Sequence, residues 1–393
     1  MEQAHAPVCN DRLEGGEACK LKGGDKMKIA YYAPVDIGTE SGVVKKIISQ
    51  VTAWQRMGID AKIFAYTSSS KVWDGIPRDS LEFVPRGSLI IRLFRVARLV
   101  RRIIDWQPDI VYMRQGFYYP PLEYLMRRIP TILEINSLDI QEAQVFLGRG
   151  KRTYYFATRN RLLGNAAGLV CVTNEIARSV AGSRVPITVV SNGIDLSVYH
   201  PLEAPLNQSP RLVFVGHEWD RGKKMLSFKY QGIDKILFLA RSFPTWSFDI
   251  VGYQPRNQSL PSNVRFTGHL GRSEYEKLLA RADAAIGTLS LYMKNMEEAC
   301  PLKVREYLAY GLPTILGYKD TDFPNGASFL LCLPNTPDNV EKNLDKIEAF
   351  VLAWKGKRVP RAEIEHLDLK VKEEKRIAFM KEVLAGKERR GCK

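Results

Sequence analysis

Residues 292–316 read YMKNMEEACPLKVREYLAYGLPTIL, and in this stretch Glu298 and Glu306 stand eight positions apart. Between them lies Cys300-Pro301-Leu302-Lys303, after which VREYLAYG reads as a short helix. Pro301 suits the first helical position, where its missing N–H loses nothing, and Gly311 suits the residue just past the end. Residues 313–316 then read as a strand. Glu298 falls just before the helix and Glu306 nearly two turns inside it. Uncapped N–H groups and the positive end of the helix dipole lie between them, a natural seat for a phosphate. One carboxylate is then free for a neutral polyol on each side. A sugar diphosphate nucleoside has that layout: hydroxylated sugar, two phosphates, hydroxylated ribose. For the spacing taken alone, a surface helix with two solvated glutamates is the plain alternative.

The full stretch resembles the Glu-x7-Glu motif of retaining glycosyltransferases of the GT-B class, family 4. It is similar in particular to bacterial envelope-polysaccharide members reading PLKVREYLAYGLP. The resemblance covers most of residues 27–335, strongly over about 263–323 and loosely in the first half. It implies an α/β chain of GT-B type, with two Rossmann-like domains facing across a cleft. Glu298 would contact the donor sugar, as the carboxylate at the reacting centre, and Glu306 the ribose hydroxyls. Pro301 and the backbone at Leu302 and Lys303 would face the diphosphate.

A chain of 393 residues is long for one core, which agrees with two domains and tails. Nowhere do about eighteen apolar residues run together, so no membrane span is predicted. Residues 1–26 carry charges and glycines without an apolar core and read as a disordered extension, not a secretory signal. The six cysteines show no CxxC and no regular spacing, which fits a reducing cytosol better than a disulfide framework. A formal net charge of +15 favours polyanionic partners: nucleic acid, anionic lipid or nucleotide diphosphates.

Strand and helix signals alternate along the chain. Strands are predicted at 28–33, 61–65, 81–84, 109–113, 131–135, 169–172 and 187–190, and again at 212–215, 247–251, 263–266, 284–287, 313–316 and 329–332. Short apolar strands between helices mean parallel sheets covered on both faces. The predicted organisation is an extension over 1–26, an acceptor-side domain over 27–195 and a donor-side domain over 196–368. Residues 369–393 form a last helix and basic tail, and the resemblance implies that this helix crosses back to the first domain. Ser191-Asn-Gly-Ile-Asp195 is an ordinary turn signal, where the resemblance places the hinge.

Several constellations bear on chemistry. Gly38 and Gly42 follow the first strand, as a phosphate or sugar loop at a helix N-terminus or as a plain tight turn. After the strand ending at Val215 comes Gly216, then a basic loop with Arg221, Lys223, Lys224 and Lys229. Family members place an Arg just after this strand and a Lys before the Gly of KG(V/I)D. Here His217 and Gln231 stand in those places, so the clamp on the diphosphate departs from the pattern. The basic loop residues would supply the charge instead, as flexible point charges. Glu134, Asn136 and Asp139 are the predicted acceptor-side groups, or else cap the next helix. Asp320-Thr-Asp322 spells DxD but reads as a turn. None of the five His has ligand spacing, so no metal site and no cofactor beyond the nucleotide-sugar substrate is predicted.

Residues 89–106 form the clearest amphipathic helix. At about 100° per residue, Leu89, Ile90, Leu93, Val96, Ala97, Val100, Ile103 and Ile104 fill one arc. Arg92, Arg95, Arg98, Arg101 and Arg102 fill the other, which suits anionic lipid. The resemblance implies a metal-independent retaining transferase; the cysteine usage fits the cytoplasm, and the arginine face of residues 89–106 suits a peripheral place on the inner face of the membrane. Its donor would be a nucleotide-diphosphate sugar and its acceptor a glycan or lipid-linked glycan. A sugar-nucleotide 2-epimerase shares the fold but needs an acid/base set that the sequence does not display. A catalytically silent partner protein is kept in view by Gln231. A nucleic-acid binder lacks a motif or interleaved basic and aromatic residues.

Overall fold

The computed structural model describes residues 26–39, 41–217, 224–254 and 260–391; residues 1–25 of the predicted extension lie outside them. The apolar runs become two parallel sheets. The first contains β1 (Lys28–Ala33), β2 (Asp60–Thr67), β3 (Leu81–Pro85), β4 (Ile110–Arg114), β5 (Thr131–Ile135), β6 (Gly168–Cys171) and β7 (Ile187–Val189). Its order is β3-β2-β1-β4-β5-β6-β7. It is wrapped by α1 (Gly42–Arg56), α2 (Leu89–Asp105), α3 (Pro120–Arg128), α4 (Asp139–Phe146), α5 (Arg149–Asn165) and α6 (Asn174–Ser179).

The second half runs from β8 (Arg211–Val215) through α7 (Lys224–Gln231), α8 (Ile233–Ser242), β9 (Ser247–Val251), β10 (Val264–Gly268), α9 (Arg272–Arg281) and β11 (Ala284–Ile286). There follow β12 (Glu298–Ala299), α10 (Leu302–Ala309), β13 (Thr314–Leu316), β14 (Lys319–Asp320), β15 (Leu330–Cys332), α11 (Leu344–Trp354) and α12 (Leu369–Gly391). The sheet order is β10-β9-β8-β11-β13-β15, with β12 and β14 pairing apart from it. In each sheet the first strand has its later neighbours on both sides. That reversal of winding opens a crevice at the strand's C-terminal end, where doubly wound sheets bind ligands. The residues that follow Ala33 and Val215 start at those two crevices.

The halves are joined by buried charge. Arg305 of α10 is fully buried and donates to both oxygens of Asp320 at 2.7 and 2.8 Å, to Asp322 at 2.6 Å and to the Asn192 carbonyl at 3.1 Å. Asp322 also accepts from Ser191 at 2.7 Å and from Lys372 of α12 at 2.6 Å. Burial opposes charge here, but the paired carboxylates hold the Arg305 guanidinium firmly protonated. Asp320-Thr-Asp322, predicted as a turn, spans the end of β14 and the turn after it, and both its carboxylates are ion-paired.

Helix α12 returns to pack on α1 of the first half. The Trp54 indole donates to Glu373 at 2.7 Å, and Arg376 donates to the Tyr112 hydroxyl at 2.9 Å and pairs with Glu373. Arg376 and Tyr112 both meet Glu134 of β5, which has no exposed surface. Glu134 faces Lys46 at 2.9 Å, Arg114 at 3.7 Å and Arg376 at 3.8 Å, and accepts from Tyr31, Gln50, Tyr112 and Asn136. Burial alone would raise its pKa, but Lys46, Arg376 and Arg114 overrule that and hold it far below the usual carboxylate range.

The amphipathic helix departs from its predicted phase. Its buried residues are Val96, Leu99, Val100 and Ile103, whereas Ile91, Leu93 and Phe94 are exposed, Phe94 at 71%. Leu93 therefore leaves the predicted apolar arc and Leu99 enters it. Arg92 donates to the Gly87 carbonyl and Arg95 to the carbonyls of Pro85 and Arg86. Those bonds to the entering chain turn the helix, so Ile91, Phe94, Arg98 and Arg101 form the outer stripe at the i, i+3, i+4 spacing of one face.

Removing the carboxylate at the centre of this network leaves three cations facing a neutral group. Glu134→Gln should destabilise the protein by about 3–5 kcal/mol, read from urea unfolding; a loss under about 1 kcal/mol would show that Glu134 is not the hub. Because its folded pKa is depressed, the wild-type contribution is present above the usual carboxylate range and is lost on acidification below it.

Candidate functional site

The site is built around the start of α10. Pro301 is the N-cap residue, one position earlier than predicted, with extended backbone at φ −69° and ψ 143°. Gly311 closes the helix at φ +82°, a conformation that costs glycine little. Across the cleft stands the N-terminus of α1, capped by the Ser41 hydroxyl accepting from Val44 N–H at 3.2 Å. A Cβ on Gly42 would lie 3.6 Å from the Leu302 side chain, so the two helix starts face one another closely. Gly38 donates its N–H to Asp36, and a Cβ there would run into the Ser69 side chain.

Glu298 bridges the halves. Its oxygens accept from Arg178 at 2.8 Å and from the Glu175 N–H at 3.1 Å, both on α6. Glu175 reciprocates by accepting from the N–H groups of Glu297 and Glu298, each at 2.9 Å. Glu306 lies deeper. Burial raises its pKa, while the Tyr275 hydroxyl, donating at 2.7 Å, and the charges of Lys45 and Arg272 oppose that rise. Arg272 stacks over Tyr199 at 4.0 Å and donates to the Tyr310 hydroxyl. Eight positions of sequence therefore become two unlike carboxylates: one ion-paired across the cleft, one desolvated and held by a phenol.

Between them, Lys303 donates to the Gln231 side-chain oxygen at 2.7 Å, and its amine lies 4.0 Å from the centre of the Phe214 ring. The Thr288 hydroxyl donates to the same Gln231 oxygen at 2.9 Å. Gly216 is partly exposed, and a Cβ there would strike Phe214 and Tyr253. Lys229 is exposed on α7. Arg221 and Lys223 lie outside the described residues, as does the side chain of Lys224.

The predicted acceptor-side residues line a cavity of about 300 Å³ in the first half, which includes Arg114, Phe117, Asn136, Asp139, Glu142 and Tyr155. Glu134 is at its base, with its oxygens engaged as described. Asn136 bridges Lys46 and Glu134. Asp139 begins α4 and is held by the guanidinium of Arg159 and the hydroxyl of Tyr155. Lys294, from the second half, comes within 3.7 Å of Glu142, which sets this cavity at the junction. Sequence reading missed Tyr275, Arg178, Arg272 and Lys45. Each is a lone residue on a helix, and only tertiary packing brings it to a glutamate.

Removing the Tyr275 hydroxyl takes away a hydrogen bond that favours the Glu306 carboxylate. Tyr275→Phe should raise the Glu306 pKa further, measured by NMR titration of the Glu306 carboxyl. An unchanged Glu306 titration would show that this phenol does not steady the carboxylate.

Comparison with known proteins bears on this geometry. The family model described as Glycosyltransferase Family 4 matches residues 41–198, and that described as Glycosyl transferases group 1 matches residues 209–349. A glycogen synthase of Mycobacterium tuberculosis is 24% identical over 251 residues, 58% of this chain and 58% of that protein. The match thus spans under two thirds of that curated relative. Among solved structures, a sucrose-phosphate synthase of Thermosynechococcus elongatus superposes with TM-score 0.66 at 14% identity, covering 92% of this chain and 100% of that one. Anabaena Alr3699/HepE, solved in complex with UDP and glucose, gives 0.57 at 12% identity, covering 90% and 99%. At these identities the structures speak for the fold.

Proposed function

From the premise that this chain belongs to the GT-B glycosyltransferases of the family 4 type, we propose that it transfers a sugar, with retention, from a nucleotide-diphosphate sugar to a glycan or lipid-linked acceptor. The observation that carries this reading is the pair Glu298 and Glu306, set on either side of the first turn of α10, with Glu298 against α6 and Glu306 within reach of the Lys45 charge on α1. Glu306, desolvated beside Tyr275, takes the ribose hydroxyls. Glu298 takes the donor sugar, exchanging its bond with Arg178 for the sugar's hydroxyls. The first N–H groups of α10 and nearby basic side chains stabilise the charge developing on the departing diphosphate.

In this account the bond from the sugar's anomeric carbon to the diphosphate oxygen breaks. The acceptor oxygen bonds to that carbon on the same face, and its proton passes to the leaving phosphate. No step is assigned to a metal, and the DxD carboxylates support that reading because Arg305 and Lys372 engage them. The cavity at Asn136 and Asp139 is the acceptor's place, and the PLKVREYLAYGLP motif favours envelope polysaccharide as the product. An isomerase would need groups free to move a proton at the sugar ring; those near Glu298 are an ion-paired arginine, backbone N–H groups and the Glu175 carboxylate, which two of those N–H groups already engage.

The acceptor's lipid is read from α2. No helix among the described residues is long and apolar enough to cross a membrane. Exposed Ile91 and Phe94 in line with Arg98 and Arg101 fit a surface that rests on anionic headgroups at the cytoplasmic leaflet.

Two experiments test these statements. Glu306→Gln should weaken nucleoside diphosphate binding by about 1–3 kcal/mol, while Glu298→Ala should lower turnover more than affinity; equal binding by wild type and Glu306→Gln would remove the ribose role. The wild-type chain should sediment with anionic but not neutral vesicles, and salt should release it. Changing Phe94 to Ser with Arg98 and Arg101 to Gln should abolish sedimentation, each arginine contributing about 1 kcal/mol. Undiminished vesicle binding by that variant would place the contact elsewhere.

A further inference from the structure

The buried lysines of this protein are not alike. Lys46 pairs with Glu134, and Lys372 pairs with Asp322. Lys235 donates to three oxygens, those of Leu289, Thr336 and Asn339. Among the described residues Lys303 has a single acceptor, the amide oxygen of Gln231, and otherwise lies against the Phe214 ring. Among the described residues no carboxylate pairs with it. An ammonium carries three donors, so this one is left short of partners in a desolvated place, which is costly unless an anion completes it. The residue nevertheless keeps partial exposure and is therefore reachable from the cleft.

Its place in the chain decides which anion. Lys303 is in the first turn of α10, five positions after Glu298 and one turn before Glu306. With those carboxylates taking sugar and ribose, the group between them is the diphosphate. We propose, resting on the donor reading above, that the Lys303 ammonium is the cation that clamps the donor's diphosphate, with Gln231 as its partner while the site is empty. The clamp charge has thus moved from the α7 segment, where Gln231 now stands, onto the helix that bears the glutamates. Gln231 still contributes by holding the amine in position, itself fixed by Thr288.

A pH dependence follows. Burial pushes the Lys303 amine down to about 7 in the free protein. Phe214 and Gln231 face it from β8 and α7, and the Thr288 hydroxyl stands beside Gln231. The titratable residues that those elements and α10 bring nearest in sequence are His217, Lys229, Tyr230, Arg305, Glu306 and Tyr307. The Tyr307 hydroxyl is bonded to the backbone of Val215, and none of these charges accounts for the shift. A bound diphosphate favours the ammonium, so binding above pH 7 takes up a proton. Affinity should then fall by up to about tenfold per pH unit between 7.5 and 9.

Calorimetry on the full chain tests this, with UDP, GDP and ADP compared against uridine, guanosine and adenosine. For the base that binds, Lys303→Met should lower diphosphate affinity by about tenfold to a hundredfold and leave nucleoside affinity nearly unchanged; Lys303→Gln replaces it where the methionine variant fails to fold. In wild type at pH 8 the binding heat should vary with the buffer's ionisation enthalpy, and in the variant it should not. Lys303→Arg should restore affinity without the fall above pH 7. A variant with the wild-type ratio of diphosphate to nucleoside affinity overturns the clamp and leaves the donor reading standing. If wild type binds none of these nucleotides, both are overturned.

Discussion

The arrangement depends on one buried guanidinium. Arg305 has no contact with solvent, yet it is satisfied by Asp320, Asp322 and the Asn192 carbonyl. Those partners come from the end of β14, the turn after it and the segment leaving the first sheet. Through Asp322 the same cluster reaches Lys372 on α12 and Ser191. The residue next to Arg305 is Glu306. Fixing the guanidinium therefore fixes the rotation of α10, and with it which side chains point into the cleft. A buried ion pair adds little net stability over an apolar substitute. Its value here is geometric, since it allows α10 one orientation relative to the junction.

Around that fixed helix, the cleft separates jobs by environment. Glu306 is desolvated and steadied by a phenol. Glu298 is ion-paired to Arg178 and bonded to the start of α6, so a ligand reaching it must exchange with groups from the opposite half. Ligand entry and the relation of the two halves are thereby coupled through one carboxylate. Closure around a donor would exclude water from the reacting carbon, as transfer to an acceptor other than water requires. In the proposal above, Lys303, lying between the two glutamates, supplies the charge that Gln231 does not.

Much of this was legible in the sequence because short apolar runs between turn signals have few other uses. The strands predicted at 28–33, 131–135 and 247–251 match β1, β5 and β9 residue for residue, and the others differ at their ends by one or two positions. The glutamate pair was legible from its spacing and its neighbours. What was not legible depends on partners far apart in the chain. Arg376 reads as one more charge on a polar helix, yet it lies against Glu134, 242 positions earlier, as given by 376 − 134. Lys303 looked like a backbone contact because only folding sets Gln231 against its amine. The phase of α2 was misjudged for a similar reason: Arg92 and Arg95 bond to carbonyls just before the helix, and no periodicity count sees that. Residues 218–223 and 255–259 lie outside the described residues, so Arg221 and Lys223 remain expectations of the sequence.

The central claim is that this cleft holds a nucleotide-diphosphate sugar and breaks its anomeric bond with retention. The most direct measurement is NMR of the sugar released from the cognate donor by the wild-type protein without acceptor, followed from the earliest times. The account predicts free nucleoside diphosphate together with a sugar that first appears in the donor's own anomeric configuration, at a rate unchanged by a metal chelator. First appearance of the opposite anomer, or a nucleotide sugar epimerised at the ring with no diphosphate released, would contradict it.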